Sequence, residues 1–487
     1  AKHTYLLKIY YPKKTTSQNA NQGAAFSAHV EIAPVNVKNS VINAPKGWNE
    51  AKEGTLLAAL RDNNTLKTPI TTPGTEVSAY TLDDITDTST ESVLSYYQKY
   101  YVTYGTGWEA SGNKFNLTGT AVTSDTYANS YSSLVGKYLP YSSLKSAGSS
   151  TAGEMINTTN LFAVYYVVSA TQDSFTYKAI SSNKNASEAL LASTEDDYGT
   201  SYYFRGAVKN NYVEFANKCW RIVRVGGDGS VKLILHNDNA TGVANPCDAA
   251  NNSASAAFAR YSGTTYTSAF NENYDDNAYV GFKYGTVGAS DYASTHANTN
   301  KSTILTNLEA WYDKNNLKNY EKVIADTVWC NDKTNVTDTT YDPYDWDPNG
   351  YGYSTNPTYY GATQRLVSPG DSAGGTGPSL KCNGELSKIN SKVGLITADE
   401  LAYAGYAYVL NNTTTYLQEN ATRDYWWSLS PSGFTGNGAL VWIVYGGDGR
   451  FDVNGVNDTN GLRPSISLKS TTSVTGEGTS DKPYKVV

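Results

Sequence analysis

Hydrophobic and polar positions alternate most regularly between Tyr425 and Leu468. Leu440, Trp442 and Val444 take one parity and Val441, Ile443 and Tyr445 the other, the period of two that sends neighbouring side chains to opposite faces of a sheet. Both parities are apolar, so Gly438–Tyr445 is predicted to be a strand buried on both faces. The GGDG at 446–449 predicts a hairpin turn after it, because glycine reaches positive φ without a Cβ clash. Pro464 lacks a backbone donor, which predicts that the strand within Gly461–Leu468 lies at an edge or starts late.

The same turn recurs at 226–229, where CWRIVRVGGDGSVKLILH predicts a second hairpin, entered through SYYFRGAVKNNYVEF. Near the start, Tyr5, Leu7 and Ile9 alternate, as do Phe26, Ala28, Val30 and Ile32, and a polar loop separates the two arms. A lone two-stranded hairpin is marginal in water, so this one needs further strands. These can come from later in the chain, from a preceding part of the protein, or from another copy by strand addition. YYQKYYVTYGTGWEAS, KFNLTGTAVTS, NLFAVYYVVSA and DSFTYKAIS supply more strand patterns, after a Thr/Pro/Ser/Asp-rich linker or strap over 65–90. Helices are few. Thr55 caps Thr55–Asp62, and Ser302–Leu317 sets Ile304, Leu308 and Trp311 on one face. The capping box Thr397–Glu400 opens LAYAGYAYVL, in which Gly405 is expected to cost about 1 kcal/mol. The fold class is therefore mainly β with a few helices (α+β). Residues 1–65 form an N-terminal hairpin plus short helix, 66–175 a small β domain with its strap, and 176–487 the C-terminal domain.

Composition narrows the setting. Charged residues are 17% of the chain, and 38 basic against 45 acidic side chains leave a net charge of −7 without a basic cluster. That excludes a nucleic-acid surface, which needs a dense Lys/Arg patch. Tyr outnumbers Phe 41 to 11 and Met occurs once, which with abundant Ser, Thr and Asn points to an extracellular, cell-surface β protein. No apolar run reaches membrane-spanning length. The chain opens at Ala1, the expectation for a processed product or for part of a longer chain. The cysteines at 219, 247, 330 and 382 form no C-x-x-C pair and have no neighbouring His, which argues against zinc. An even count outside the cell favours disulfides, with the local pairing Cys219–Cys247 and Cys330–Cys382 preferred over the two others, and four buried free thiols as the alternative.

Four stretches together carry a resemblance: YYFRGAVKNNYVEFANKCWRIVRVGGDGSVKLIL, VGLITADELAYAG, YWWSLSP and the closing GLRPSISL. Over about residues 190–487 the chain resembles an uncharacterised domain of Gram-positive gut bacterial surface proteins. The last ninety residues are more distantly similar to C-type-lectin-like folds, including the formylglycine-generating enzymes. YLLKIYY and AFSAHVEI are weakly similar to biofilm-fibre proteins of the camelysin type. The resemblance implies a C-type-lectin-like fold for 176–487. It does not carry over the enzymes' activity, since none of the four cysteines lies in their reactive-pair motif. Arg463 matches the arginine of the fold's closing strand, and a buried role paired with a carboxylate or carbonyls is expected for it.

Candidate chemistry is sparse. GDSAGG at 370–375 is similar to the nucleophile loop of trypsin-like proteases, but Ala373 replaces an oxyanion-hole glycine and no His lies in a base motif, so a flexible turn is expected. Asp345, Asp347 and Asn349 have the oxygen alternation of a calcium loop. Pro348 and the missing closing Glu (Asn356) favour a plain acidic turn, so no cofactor is expected unless it is calcium. Trp426 and Trp427, flanked by Asn437, Asp448, Asn457 and Asp458, are the candidate glycan-binding set, in which adjacent strand residues face opposite ways and one ring is expected to reach a surface. Trp442 is expected to be core. The function expected is a secreted, non-enzymatic structural protein, a fibre or pilus subunit or adhesin that assembles with copies of itself and displays the lectin-like domain. The alternative is a monomeric carbohydrate-binding lectin, calcium-dependent if the 345–349 loop binds metal.

Overall fold

The computed structural model describes residues 41–75, 88–92, 102–111, 114–119, 122–124, 134–140, 159, 161, 163–171, 174–181, 188–344 and 350–487. The N-terminal strand patterns of Tyr5–Ile9 and Phe26–Ile32 lie outside them. Helix α1 (Leu56–Asn63) begins where its cap predicts: Thr55 Oγ1 accepts from the Ala58 N–H, and Leu56, Leu57, Ala58 and Leu60 are buried. An extended strap follows, in which the Lys67 N–H donates to Leu191 O at 2.9 Å and the Ile70 N–H to the Glu188 carboxylate at 3.0 Å.

Strands β1 (Ser89–Ser92), β2 (Tyr138–Pro140), β3 (Ala163–Ala170) and β4 (Ser174–Ser181) form an antiparallel sheet in the order β1-β4-β3-β2. The β3–β4 hairpin is the one that the alternation predicts. Val164 and Ile180 join Phe115 and Leu161 on one face, while Tyr165, Val167, Phe175 and Tyr177 join Leu134 and Leu139 on the other. The period of two thus divides this sheet between two small cores.

The larger architecture starts with β5 (Ala189–Asp196), β6 (Gly199–Gly206), β7 (Tyr212–Phe215), β8 (Lys218–Val225) and β9 (Val231–Asn237). The GGDG at 226–229 closes the β8–β9 hairpin, with the Gly226 N–H on Ser230 O at 2.8 Å. Four α-helices intervene among the described residues, the single-turn Tyr292–His296 followed by α2 (Thr303–Lys314), α3 (Gly361–Leu366) and α4 (Ala398–Ala404). The chain then returns through β10 (Trp426–Phe434), β11 (Ala439–Val444), β12 (Phe451–Gly455), β13 (Asn460–Gly461), β14 (Ser465–Leu468), β15 (Val474–Thr475) and β16 (Tyr484–Val486). One sheet runs β14-β9-β8-β7-β16-β15, with β6 bridging β8 to β5; a second runs from Thr267–Ser268 through β13, β10 and β11 to β12. β16 pairs in parallel with β7, Val213 opposite Tyr484, so the last residues of the chain complete a sheet begun before residue 200. One continuous apolar core reaches from Trp48 to Tyr484.

The structure is mainly β with a few helices, as the patterning predicts. Val441, Trp442, Ile443 and Val444 are fully buried between β10 and β12, which is the two-faced burial expected of β11. β14 starts just after Pro464 and stands at the end of its sheet order. In α2, Ser302 caps the Leu305 N–H, and Ile304, Leu308 and Trp311 are buried. Thr397 and Glu400 form the complete capping box of α4. One expectation fails: Gly405 does not sit inside this helix but ends it, at φ 120°, a conformation that a side chain disfavours. The glycine therefore terminates α4 rather than weakening it.

Both disulfides take the local pairing. Cys219–Cys247 and Cys330–Cys382 have Cα separations of 5.0 and 5.5 Å, and no cysteine is free. The pairs lie 28 and 52 residues apart in the chain, so loop-closure entropy assigns the second the larger effect, about 4 kcal/mol. The double substitution Cys330→Ala/Cys382→Ala is expected to lower the unfolding free energy by about this amount in urea titration. An unchanged midpoint would show that this link carries no constraint on the unfolded chain.

Candidate functional site

Trp426 and Trp427 point to opposite faces of β10, as strand residues must, yet both are at 0% exposure. Trp427 donates its indole N–H to Ser268 O at 2.8 Å, and Trp426 lies 4.8 Å beneath the Arg463 guanidinium. Neither presents a ring to solvent, so the expected tryptophan platform is corrected: β10 is an interior strand with cover on each face. Arg463 is fully buried and reaches the Leu235 and Leu417 carbonyls. Burial, and then the neighbouring Arg221 charge, pull its pKa down to about 10 while aromatic hydroxyls oppose them.

The polar members of the predicted set do not converge. Asn437, on the β10–β11 turn, shares one end of the sheet with Asn457 and Asp458, which follow β12, and all three are exposed. Asp448 lies in the β11–β12 turn at the other end, about 20 Å away along a six-residue strand, and there accepts the Arg450 N–H. The aromatics that meet water at that end are Tyr425 and Tyr445, stacked at 4.0 Å and 5°. Asp345, Asp347 and Asn349 lie outside the described residues; among the described residues no three His, Cys, Asp or Glu side chains group as metal ligands. GDSAGG forms a small hairpin, Val367–Ser368 with Ser372–Ala373. His296 is buried and bonded to Gly352 O at 2.7 Å, with its pKa brought down to about 3 by burial and the Lys333 ammonium.

A cleft with a volume of about 660 Å³ opens elsewhere. Asp342, Pro343 and Tyr344 form one wall, Gly370 and Asp371 at the tip of the small hairpin another, and Tyr408, Leu440 of β11 and Val453 of β12 the floor. Asp371 holds a positive φ of 55°, which aspartate tolerates better than most residues, and its N–H donates to Pro343 O at 3.1 Å. Its carboxylate accepts the Tyr408 hydroxyl at 2.7 Å, and Asp342 accepts the Tyr359 hydroxyl at 2.7 Å. The Tyr344 and Tyr408 rings lie 5.8 Å apart, and Tyr408 packs edge-on against Trp442 at 5.6 Å. Asp452 flanks the cleft: burial first, and the Asp371 charge with it, raise its pKa, against Arg450 at 2.9 Å. An open cleft with aromatic and apolar surface and a few oriented acceptors is suited to a small polar ligand with ring faces.

A second cavity, about 40 Å³ with room for roughly three waters, is lined by buried charge. Arg224 bridges Asp196 at 2.9 Å and Glu400 at 2.8 Å, and Lys232 reaches the same Glu400 oxygen at 2.6 Å. Arg365 binds Asp399 at 2.7 Å and Asp332 at 2.8 Å. Each of these seven charges has a partner, and Glu400 also caps α4, so this network ties the β8–β9 hairpin to that helix. Burial raises the Glu400 pKa, but Lys232 and Arg224 outweigh it and bring it down to about 2.

Sequence reasoning singled out GDSAGG for its serine, whereas it is Asp371 that faces the cleft. Asp342, Tyr344 and Tyr408 belong to no motif and had no local signal. Comparison with family models, curated proteins and solved structures finds no match.

Glu400 supplies a pH test. Its carboxyl titrates near 4.5 when unperturbed and near 2 in the folded chain, so its stabilisation is fully present above pH 4.5 and is lost as pH falls from there towards 2. Glu400→Gln is expected to cost about 3–5 kcal/mol at neutral pH, because Lys232 and Arg224 lose a buried counter-charge. It is also expected to flatten the acid limb of the stability curve, measured by urea unfolding across that range. A variant whose acid limb matches the parent would remove Glu400 as its source.

Proposed function

We propose that this chain is a secreted, non-enzymatic bacterial surface protein, a fibre subunit or adhesin whose C-terminal part, 176–487, is a C-type-lectin-like module that binds glycans. The observation that carries the reading is the cleft between Tyr344, Asp371 and Tyr408, with its aromatic rings, apolar floor and carboxylates held by tyrosine hydroxyls. Sugar recognition uses such a surface: rings cover the apolar faces of a pyranose while fixed acceptors take its hydroxyls. The two disulfides support an oxidising compartment, and no helix among the described residues is long and apolar enough to cross a membrane. Assembly into fibres rests on the alternating apolar pattern of Tyr5–Ile9 and Phe26–Ile32 in the sequence, and calcium on the 345–349 pattern.

A glycan array probed with and without chelator tests the binding function. Retention of a defined glycan class is expected, with Asp371→Ala weakening it roughly ten-fold or more, the scale of a lost charge-assisted hydrogen bond. Absence of binding under both conditions ends the lectin reading. Electron microscopy of the secreted protein tests assembly separately: filaments support it, and uniformly monomeric particles remove it.

A further inference from the structure

The two disulfides differ in what surrounds them. Cys219 and Cys247 are at 0% and 1% exposure, whereas Cys330 and Cys382 are each half-buried. Cys330 ends the short strand Val328–Cys330, which pairs with Lys388–Asn390. Cys382 belongs to residues 378–383, which cross from α4 to the end of β5. On the α4 side the Ser379 N–H donates to the Asp399 carboxylate at 2.9 Å, and Pro378 O accepts the Tyr403 hydroxyl at 2.8 Å. On the β5 side Leu380 bridges to Asp196, and the Cys382 N–H donates to the Asp197 carboxylate at 3.1 Å.

This segment covers the charged cavity of about 40 Å³, which Leu380, Cys382 and Cys330 help to line. Asp197, Tyr198 and Lys381 at the cavity are exposed, while Lys232, Asp399 and Glu400 are buried. Residues 378–383 therefore stand between solvent and the ion pairs that fix the start of α4. Those pairs attract strongly only while water is kept from them, because Coulomb energy falls as the local dielectric rises. The hydrogen bonds that hold the cover can open and close, and the sulfur bridge is its covalent tie. A small external thiol removes that tie by exchange. Its thiolate attacks one bridge sulfur, the S–S bond breaks, and the other cysteine leaves as a thiolate that takes up the proton. A second external thiol resolves the mixed disulfide, so two external thiols are oxidised to one disulfide while the bridge is reduced to two thiols. Access governs this exchange, which favours the half-buried bridge over the buried one. The geometry points to Cys330–Cys382 as a redox-sensitive fastening of this cover. Its reduction by a small thiol frees residues 378–383, admits water to the Glu400 network and loosens the start of α4, while Cys219–Cys247 stays intact. The inference is independent of the glycan reading.

Treatment of the intact protein with dithiothreitol at neutral pH, without denaturant, tests it, with freed thiols alkylated and located by peptide mapping. Label is expected on Cys330 and Cys382 and not on Cys219 or Cys247. Amide hydrogen exchange of the same sample is expected to quicken roughly ten-fold or more over residues 378–383 and 398–401, while β7 and β8 keep their protection. The double substitution Cys330→Ala/Cys382→Ala is expected to give the same local acceleration without reductant; if that variant does not fold, the reduced parent protein decides alone. Label on all four cysteines, or on none, overturns the inference. Selective label with unchanged exchange over 378–383 and 398–401 overturns it as well, since the bridge is then reducible but fastens nothing.

Discussion

Strand β10 has no wet face, and much of the molecule is arranged to satisfy that. All nine of its residues are buried, including Ser428, Ser430 and Ser432, and a buried polar group without a partner costs roughly 1–3 kcal/mol. The neighbours supply the partners. Ser430 Oγ accepts the Ala398 N–H at the start of α4, the Leu429 N–H donates to Ile396 O, and the Asn331 amide donates to Leu429 O. At the other end Ser432 meets the Thr363 hydroxyl of α3 at 3.0 Å, and its carbonyl accepts the Tyr360 N–H. Both short helices are thereby set against one strand. The hairpin after α3 then carries Asp371, and the loop after α4 carries Tyr408, to the same place beside β11 and β12.

The same helix is held from the opposite side by charge. Glu400 caps α4 through the Thr397 N–H and accepts from both Lys232 and Arg224, so one carboxylate joins the helix start to the β8–β9 hairpin. Burying such a network gives little net stability, because desolvation offsets most of the attraction. Its effect is geometric: only one placement of α4 pairs all of these charges. Arg463 plays a comparable part through carbonyls and the Trp426 face, and so connects β10, β9 and the loop at Leu417.

The position of the cleft alters the functional reading. A site built on the tryptophans would have stood on the central strands. The cleft lies instead where loops after two helices cross the end of the second sheet, while the tryptophans act as its foundation, with Trp442 supporting the Tyr408 ring. The open surface is thereby formed by tyrosines and aspartates on loops, and the strands beneath them supply the rigid support.

The features legible in the sequence are those whose cause is local. Alternation over Gly438–Tyr445, the two GGDG turns, the Thr55 cap, the apolar face of the helix from Ser302 and the Thr397–Glu400 capping box depend on side-chain period and φ preference within a few residues. The disulfide pairing was legible too, since each bridge closes a short separation along the chain. What only the tertiary structure decided depends on distant segments meeting. The pairing of β16 with β7 spans more than 260 residues, and no pattern in either strand names the other. Adjacent tryptophans must face opposite ways, but whether each face is covered is decided by α3, α4 and the strands beyond. Asp371 and Tyr408 stand 37 residues apart and meet at 2.7 Å because β10 needed partners for its buried serines, a requirement that no short stretch of sequence displays.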